Sequence, residues 1–446
     1  MANIFSISLG CPKNRVDTER LLATVPGMRA VASVAEASCV LVNTCGFIEP
    51  AVTESVAVIA EIIHDIADLP GAQKPLLVVS GCLVGRYGEN VLAPELPEVT
   101  LWLDNRDLDS WPGKLLAALR EAGHILPVPS PGGCGLPHPV RYLSTPPSYA
   151  WLKISDGCDH TCSFCTIPSI RGAFYSTPAD FLIAEARELL GKGVRELILV
   201  AQDSTAWGKD LAGEKGLVSL LEKLLPLNGL DWLRIMYLYP AGLSRELLSF
   251  LKSAGRPFLP YFDIPVQHAH NAVLSKMGRP FAKDPSISLD RVREFFPDAA
   301  FRTSIIVGFP GETDDHFKTV YDFVEKTRFH NLGVFTYQAE EGTKAAAMPG
   351  QIPEHVKEER RDALMALQAD ISEEILDEYV GEYLEVLVDK PNEEWPGLYE
   401  GRAWFQAPDI DGLTYVSGPG VAEGVMVRAE VTEARTYDLV ALTDPE

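Results

Sequence analysis

Three cysteines on one short loop carry the strongest chemical signal. The segment Asp156-Gly157-Cys158-Asp159-His160-Thr161-Cys162-Ser163-Phe164-Cys165 has the spacing C-x3-C-x2-C. Three thiolates this close can hold three irons of a [4Fe–4S] cube and leave the fourth without a protein ligand. An open iron suits a cluster that must bind a cofactor or substrate, whereas a cluster that only carries electrons is normally closed by four cysteines. A zinc site asks for four protein ligands, often as two C-x2-C pairs. The sequence has no second such pair.

A second trio is dispersed: Cys11 in Ser8-Leu9-Gly10-Cys11, Cys45 in Asn43-Thr44-Cys45-Gly46 and Cys82 in Ser80-Gly81-Cys82. Each follows a short β-rich apolar run, at 4–9, 40–43 and 76–80, and each neighbours a glycine. Parallel strands place their C-terminal ends along one edge, where ligands bind. The three thiols are therefore expected to converge, and glycine lets backbone approach a bulky group closely. Cys39 lies at the opposite end of its strand and reads as core, since a lone free cysteine is most often a small buried hydrophobe. Cys134 sits in a Pro/Gly-rich stretch and reads as incidental.

The elements that must position these residues fall into three regions. From 1 to 125, the runs above and a further one at 100–103 alternate with helical patterns at 16–25, 49–67, 85–92 and 106–122. This predicts a doubly wound parallel sheet. Residues 126–139 form a Pro/Gly-rich linker. From 140 to 352, candidate strands at 151–155, 196–201, 233–239, 261–265, 301–307 and 332–337 alternate with helices. This predicts a partial (β/α)6 barrel with the C-x3-C-x2-C loop after its first strand, at the end where barrel active sites lie. A connecting amphipathic helix spans 353–380, its apolar face carrying Val356, Leu364, Leu367, Ile371, Ile375 and Tyr379. Short strands from 381 to 446 suggest an OB-like β-barrel.

Composition narrows the partners. The 446 residues carry a net charge of −23, which argues against a broad phosphate-binding surface. No apolar run approaches the roughly 20 residues of a membrane span. The first residues lack a basic, apolar leader pattern, so a cytoplasmic location is expected. In a cytoplasmic protein, eight cysteines read as metal ligands or reactive thiols rather than disulfides.

The C-x3-C-x2-C loop resembles the signature of the radical S-adenosylmethionine (SAM) superfamily. That resemblance implies that SAM chelates the open iron and is split on reduction to give a 5′-deoxyadenosyl radical. It also implies that Phe164, the aromatic before the third cysteine, lies near the adenine; a core aromatic is the competing reading. Two three-cysteine sets in this order resemble the methylthiotransferases. The resemblance then implies an N-terminal methylthiotransferase domain (1–125), a radical SAM barrel (140–352) and a C-terminal TRAM domain (381–446). It implies two [4Fe–4S] clusters on Cys11, Cys45, Cys82, Cys158, Cys162 and Cys165, and SAM as both radical source and methyl donor. A low-potential electron donor such as flavodoxin or ferredoxin is expected. Gln202, which ends the second barrel strand, and Gly308, past the fifth, are candidate cofactor contacts. Each has a local structural reading as well: Gln202 ordering its loop, and Gly308 forming part of a Phe309-Pro310-Gly311 turn. No side chain is singled out as a general acid or base.

The family has a branch that modifies an aspartate of a small-subunit ribosomal protein and a branch that modifies isopentenyladenosine in transfer RNA. Pro12-Lys13 after Cys11 resembles the first, where the second favours Gln-Met. Gln202-Asp203-Ser204-Thr205 also resembles the first, as do Asp263-Ile264-Pro265-Val266-Gln267-His268, Ile306-Val307-Gly308-Phe309-Pro310-Gly311-Glu312 and Glu340-Glu341-Gly342-Thr343. Thr18 replaces the more usual serine. Residues 381–446 hold fourteen acidic and four basic side chains, net −10. An acidic C-terminal domain suits a Lys/Arg-rich ribosomal protein better than RNA, although acids also serve simply as a solvated surface. The expected reaction inserts a methylthio group at the aspartate β-carbon. The alternatives are the transfer-RNA reaction and a non-catalytic electron carrier or scaffold.

Overall fold

A computed structural model describes residues 2–444 except 26, 72–73, 125, 127–139 and 282. Apart from Leu126, the expected linker lies outside the described residues, as does Cys134. The chain groups into two units: Met1–Ser144 with Asp156–His160 and Cys165–Tyr175, and Thr145–Ser155 with Thr161–Phe164 and Ser176–Glu446.

In the first unit β1 (Ala2–Ser8), α1 (Pro12–Thr24), β2 (Met28–Ala30), β3 (Cys39–Thr44), α2 (Glu49–Asp68), β4 (Leu76–Gly81), α3 (Cys82–Tyr87), α4 (Glu89–Leu92), β5 (Leu101–Asp104) and α5 (Trp111–Glu121) follow in order. The strands pair in parallel in the order β2-β1-β3-β4-β5. This is the flavodoxin-like doubly wound order, in which the winding reverses between β1 and β3. Strands buried on both faces read as continuous apolar runs, and every residue of β3 is buried. One face packs on Leu21 and Leu22 of α1 and Leu115, Leu116 and Leu119 of α5. The other packs on Val52, Ile59 and Ile62 of α2 and Leu83 and Val84 of α3. The Val52, Ser55, Ile59 and Ile62 positions of α2 are its buried stripe, at the spacing of one helix face. The short edge strand β2 was not anticipated: Met28-Arg29-Ala30 carries no apolar run. A further helix of this unit, α6 (Ile167–Arg171), follows Cys165.

The second unit begins with β6 (Tyr149–Lys153), then α7 (Ala179–Gly191), β7 (Glu196–Val200), α8 (Leu217–Leu224), β8 (Trp232–Ile235), α9 (Arg245–Ala254), β9 (Phe258–Asp263), α10 (Asn271–Met277), α11 (Ser286–Phe295), β10 (Ala300–Val307), α12 (Asp314–Thr327) and β11 (Asn331–Thr336). The six strands pair in parallel in sequence order, as the alternation predicts. Local signals set the helix ends. Ser244 accepts from the Leu247 backbone N–H at 3.1 Å at the start of α9, as N-cap serines do.

The connecting helix α13 (Glu354–Asp377) differs from expectation in its buried face. That face carries Lys357, Arg360, Leu364, Gln368, Ile371, Ser372 and Leu376, whereas Val356, Leu367 and Ile375 are only half-buried. The polar members are there because they bond backbone and acid groups of the barrel. Gln368 donates to the Phe329 carbonyl at 2.7 Å, and Ser372 to the His330 carbonyl at 3.1 Å. Beyond it β12 (Tyr383–Pro391), β13 (Tyr399–Arg402), β14 (Thr414–Ser417), β15 (Met426–Ala434) and β16 (Leu439–Leu442) close a small barrel in the order β12-β13-β14-β16-β15.

This small barrel is fastened to the N-terminal ends of the parallel strands. Arg402 pairs with Glu196, the first residue of β7, at 2.5 Å and with Asp389 at 2.7 Å. Glu196 also pairs with Arg234 at 2.8 Å. Ser148, next to β6, donates to Asp389, and Asp411 accepts from Tyr261 at 2.7 Å. Substrate loops cluster at the opposite ends of such strands, so this attachment leaves those ends to other residues.

Candidate functional site

Cys11, Cys45 and Cys82 occupy equivalent places in the first unit. Cys11 is the N-cap of α1, with extended backbone, and Pro12 follows as the first helical residue. Proline is pre-set for that position and lacks an N–H that would go unbonded. Cys45 follows β3, and Cys82 opens α3 directly after β4. Two of the three flank the β1/β3 reversal, where ligands of open parallel sheets bind.

The side chain that gathers these loops is Asn14. Its amide nitrogen donates to the Leu9 carbonyl at 3.1 Å and the Thr44 carbonyl at 2.9 Å. Its amide oxygen is 3.7 Å from the Cys82 sulfur and accepts from Arg171. Asn105 donates to the Cys82 sulfur at 3.6 Å. Gly46 is closely opposed to the turn at Cys82: a Cβ there would lie 2.7 Å from the Leu83 nitrogen and 2.8 Å from the Cys82 carbonyl oxygen. Only glycine permits that approach.

Electrostatics distinguish the three thiols. Burial acts to raise Cys11, but the Lys13 and Arg171 cations and the backbone N–H groups of Asn14 and Lys13 outweigh it, and its pKa falls. Helix N-termini and neighbouring cations favour thiolates in this way. Burial raises Cys45, the Phe47 N–H opposing it and the Cys11 charge adding to it. Burial pushes Cys82 up to about 11, against Arg171 and with Cys11 and Cys45. Cys45 and Cys82 thus feel the Cys11 charge, and these two thiols resist ionisation. A metal between them removes that resistance, because coordination deprotonates a thiol outright. Among the described residues no three His, Cys, Asp or Glu side chains are grouped as one metal ion would require. A cube, with a separate iron for each thiolate, asks for less convergence. Three thiols on three separate loops are a donor set whose chemistry suits such a cluster. Cys39 is fully buried and burial pushes its thiol up to about 12, as expected of a core cysteine.

Arg171 is the charge at the centre of this unit. It is buried and pairs with Asp156 at 2.8 Å and Asp17 at 3.4 Å. Burial opposes its charge, but Asp156, Cys82, Asp17 and Cys11 hold it firmly cationic. Asp156 precedes Gly157-Cys158, and Asp17 lies in the helix that starts at Pro12, so one guanidinium ties the entry of the C-x3-C-x2-C loop to the helix that Cys11 caps. Neither Asn14 nor Arg171 was singled out from the sequence. A signal existed in the spacing of Cys11 and Asn14, three apart at a helix start, but nothing marked Arg171.

The cysteines of that loop divide between the units. Cys158 and Cys165 group with the first and Cys162 with the second. The Cys158 N–H donates to the Gly172 carbonyl at 3.3 Å within the first unit. In the second unit the Ser163 N–H donates to the Met277 carbonyl at 3.0 Å, and Arg279 reaches the Cys162 sulfur at 3.6 Å. Phe164 packs with Val273, Met277, Phe309, Tyr337 and Ala345, a core role that accounts for an aromatic there. Gln202 is half-buried in the loop after β7. Gly308 has φ +75, and a Cβ on it would lie 2.2 Å from the Lys357 side chain, so the aliphatic stem of Lys357 already explains the glycine.

Glu312 organises the Gly308–Glu312 turn. It accepts from the Gly308 N–H at 2.9 Å and the Phe309 N–H at 3.3 Å, pairs with Arg360 of α13 at 2.8 Å, and lies 3.4 Å from the buried His268 Nε2. The barrel helices thus reach these loops through buried polar contacts that periodicity does not reveal.

Three families match the chain: the Radical SAM superfamily over residues 152–324, the TRAM domain over 380–443, and the Uncharacterized protein family UPF0004 over 3–104. The ribosomal protein uS12 methylthiotransferase RimO of Nitratidesulfovibrio vulgaris (strain DP4) is 61% identical over 443 residues, covering 99% of this chain and 100% of that protein. The protein of that name from Oleidesulfovibrio alaskensis is also 61% identical, over 444 residues, with 99% and 100% covered. That from Aquifex aeolicus is 41% identical over 438 residues, with 97% and 95% covered. Among solved structures, the radical SAM methyltransferase TsrM of Kitasatospora setae, with tryptophan and a SAM analogue bound, superposes with a TM-score of 0.56 at 14% identity. It covers 83% of this chain and 89% of that one, a likeness of fold. With relatives this similar matched from end to end, the chain belongs to the uS12 methylthiotransferase family of radical SAM enzymes.

Proposed function

We propose that this chain inserts a methylthio group at the β-carbon of an aspartate in ribosomal protein uS12. The reading rests above all on one observation: Cys11, Cys45 and Cys82 each follow the C-terminal end of a parallel strand of one sheet, in a chain whose end-to-end relatives are uS12 methylthiotransferases. As a radical SAM family member it uses SAM and [4Fe–4S] clusters. We assign one cluster to Cys11, Cys45 and Cys82 and the other to Cys158, Cys162 and Cys165. When bound, these groups supply the electron that splits SAM, the hydrogen-abstracting radical, and the sulfur and methyl that replace the hydrogen.

The chain's own residues hold and bias that chemistry. Asn14 keeps three cysteine loops in register. Lys13 and Arg171 favour the Cys11 thiolate. The Pro12-Lys13 pair typical of the protein-modifying branch thus has a physical role: proline starts the helix that Cys11 caps, and lysine lowers the thiol. The acidic small barrel, net −10 over residues 381–446, favours a basic protein over RNA. A cytoplasmic site of action, where ribosomal proteins are met, and a low-potential electron donor complete the proposal.

Mass spectrometry tests it. Deleting the gene should remove an adduct of about 46 Da from uS12, and restoring it should return the adduct. Loss of 2-methylthio groups from transfer RNA with uS12 unchanged would favour the transfer-RNA reaction instead.

A further inference from the structure

Arg279 follows α10, two residues past its last turn. Its Nη1 is 3.6 Å from the Cys162 sulfur, and its Nη2 donates to the Pro265 carbonyl oxygen. Its guanidinium carbon lies 4.7 Å from the centre of the Tyr239 ring. Tyr239 and Pro265 follow β8 and β9, so the loops at the C-terminal ends of two barrel strands fix the guanidinium plane. The end of α10 is itself bonded to the cysteine loop, the Met277 carbonyl accepting from the Ser163 N–H at 3.0 Å. Among the described residues no carboxylate lies within ion-pair distance of Arg279, and its buried Nε has no partner. A guanidinium held this way is a ready counter-charge, and hydrogen bonds to ionised sulfur are stronger than to a neutral thiol.

We propose that Arg279 is a positioning residue for the cluster of the C-x3-C-x2-C loop, donating to the Cys162 thiolate and raising the cluster's reduction potential. The proposal rests on the reading above that this loop holds a cluster. Reduction adds one electron, and so one negative charge, to a group already anionic through its three thiolates. A fixed cation beside one sulfur stabilises the reduced form more than the oxidised one. Net charge and hydrogen bonds to the sulfurs are recognised determinants of cluster potential. Arginine rather than lysine fits because a planar fork serves Pro265, Cys162 and the Tyr239 face together.

The test is a redox titration of full-length, anaerobically reconstituted protein, followed by electron paramagnetic resonance. Cys11, Cys45 and Cys82 are replaced by alanine so that only the barrel cluster reports. Arg279→Met should make reduction about tenfold less favourable, about 59 mV for one electron, with iron content unchanged. Arg279→Lys should recover most of the difference. A potential equal to that of the parent in a fully loaded Arg279→Met protein overturns the proposal. So does weakened SAM binding at an unchanged potential, which would move Arg279 to the cofactor. If Arg279→Met takes up no iron, Arg279→Gln, with donors but no charge, is read the same way. Failure of every variant to load iron while still folded makes Arg279 an assembly residue and also overturns it. A parent protein with no reducible cluster would sink the proposed function itself, a result distinct from all of these.

Discussion

The Asn14 side-chain amide donates to the Thr44 carbonyl oxygen at 2.9 Å across thirty residues of sequence. The same amide reaches the Leu9 carbonyl, so one side chain closes the two loops that carry Cys11 and Cys45. Its oxygen also faces Cys82, so a single side chain touches the surroundings of all three thiols.

Removing that side chain leaves two backbone carbonyls without their donor, at about 1–3 kcal/mol each where buried. The loops bearing Cys11 and Cys45 then lose their common tie. Asn14→Ala should take up about four irons per chain after reconstitution instead of about eight, losing the first-unit cube and keeping the other. Iron and sulfide analysis reads this directly. A fully loaded Asn14→Ala protein would show that the cysteine loops are ordered without it.

Gly46 offers a test that alters backbone spacing alone. A methyl there meets the Leu83 nitrogen and Cys82 carbonyl at 2.7–2.8 Å, too close for either to stay in place, so the Cys45 turn must back away from Cys82. Gly46→Ala should lose the same four irons as Asn14→Ala. Because no thiol, charge or donor changes, the loss would be assigned to geometry. Retention of about eight irons would show that the two turns can part without cost to the site.

The strands and the cysteines beyond them were legible because parallel strands are apolar throughout: the 40–43 run lies inside β3, buried over Cys39–Thr44. Cys158, Cys162 and Cys165 stand out by spacing as a candidate ligand set. What organises the cysteines did not. Asn14, Arg171 and Arg279 act across 30 to 157 residues, and a local window holds no record of a partner so distant. The face of α13 matches its apolar pattern at Leu364 and Ile371 and departs from it elsewhere for a related reason. Hydrophobic periodicity points to Val356 and Leu367, whereas the barrel is met by Lys357, Arg360 and Gln368, which bond carbonyls and Glu312.

Arg171 is the charge most exposed to a single substitution. Arg171→Met leaves Asp156 and Asp17, each with a side chain only 2% accessible, without their shared cation. Breaking a buried pair from one side costs about 3–5 kcal/mol. The first unit should unfold at correspondingly lower urea, reported by the circular dichroism of its transition. Asp156→Asn in the Arg171→Met background should recover part of the loss, since it removes one of the two buried carboxylate charges that Arg171 answers. No recovery would mean that Arg171 acts through packing rather than charge.

The seat of the small barrel predicts a pH dependence. Burial acts to raise the Glu196 carboxyl, but Arg402 and Arg234 outweigh it and hold the pKa below the ordinary glutamate value. A carboxyl depressed on folding binds fewer protons in the native than in the unfolded state. Its stabilisation is therefore complete above the unfolded pKa of about 4.3 and is lost as pH falls through the lower, folded value. Glu196→Gln removes this contribution and leaves two buried guanidinium groups with one charge fewer to answer them, at a cost of about 3–5 kcal/mol near neutrality. The variant should be the less stable protein at pH 7, and the gap should narrow between about pH 5 and pH 3. Urea unfolding across that range measures both. Parallel profiles for the two proteins would show that the Glu196 charge is not what the arginines require, and that the small barrel is held by its packing instead.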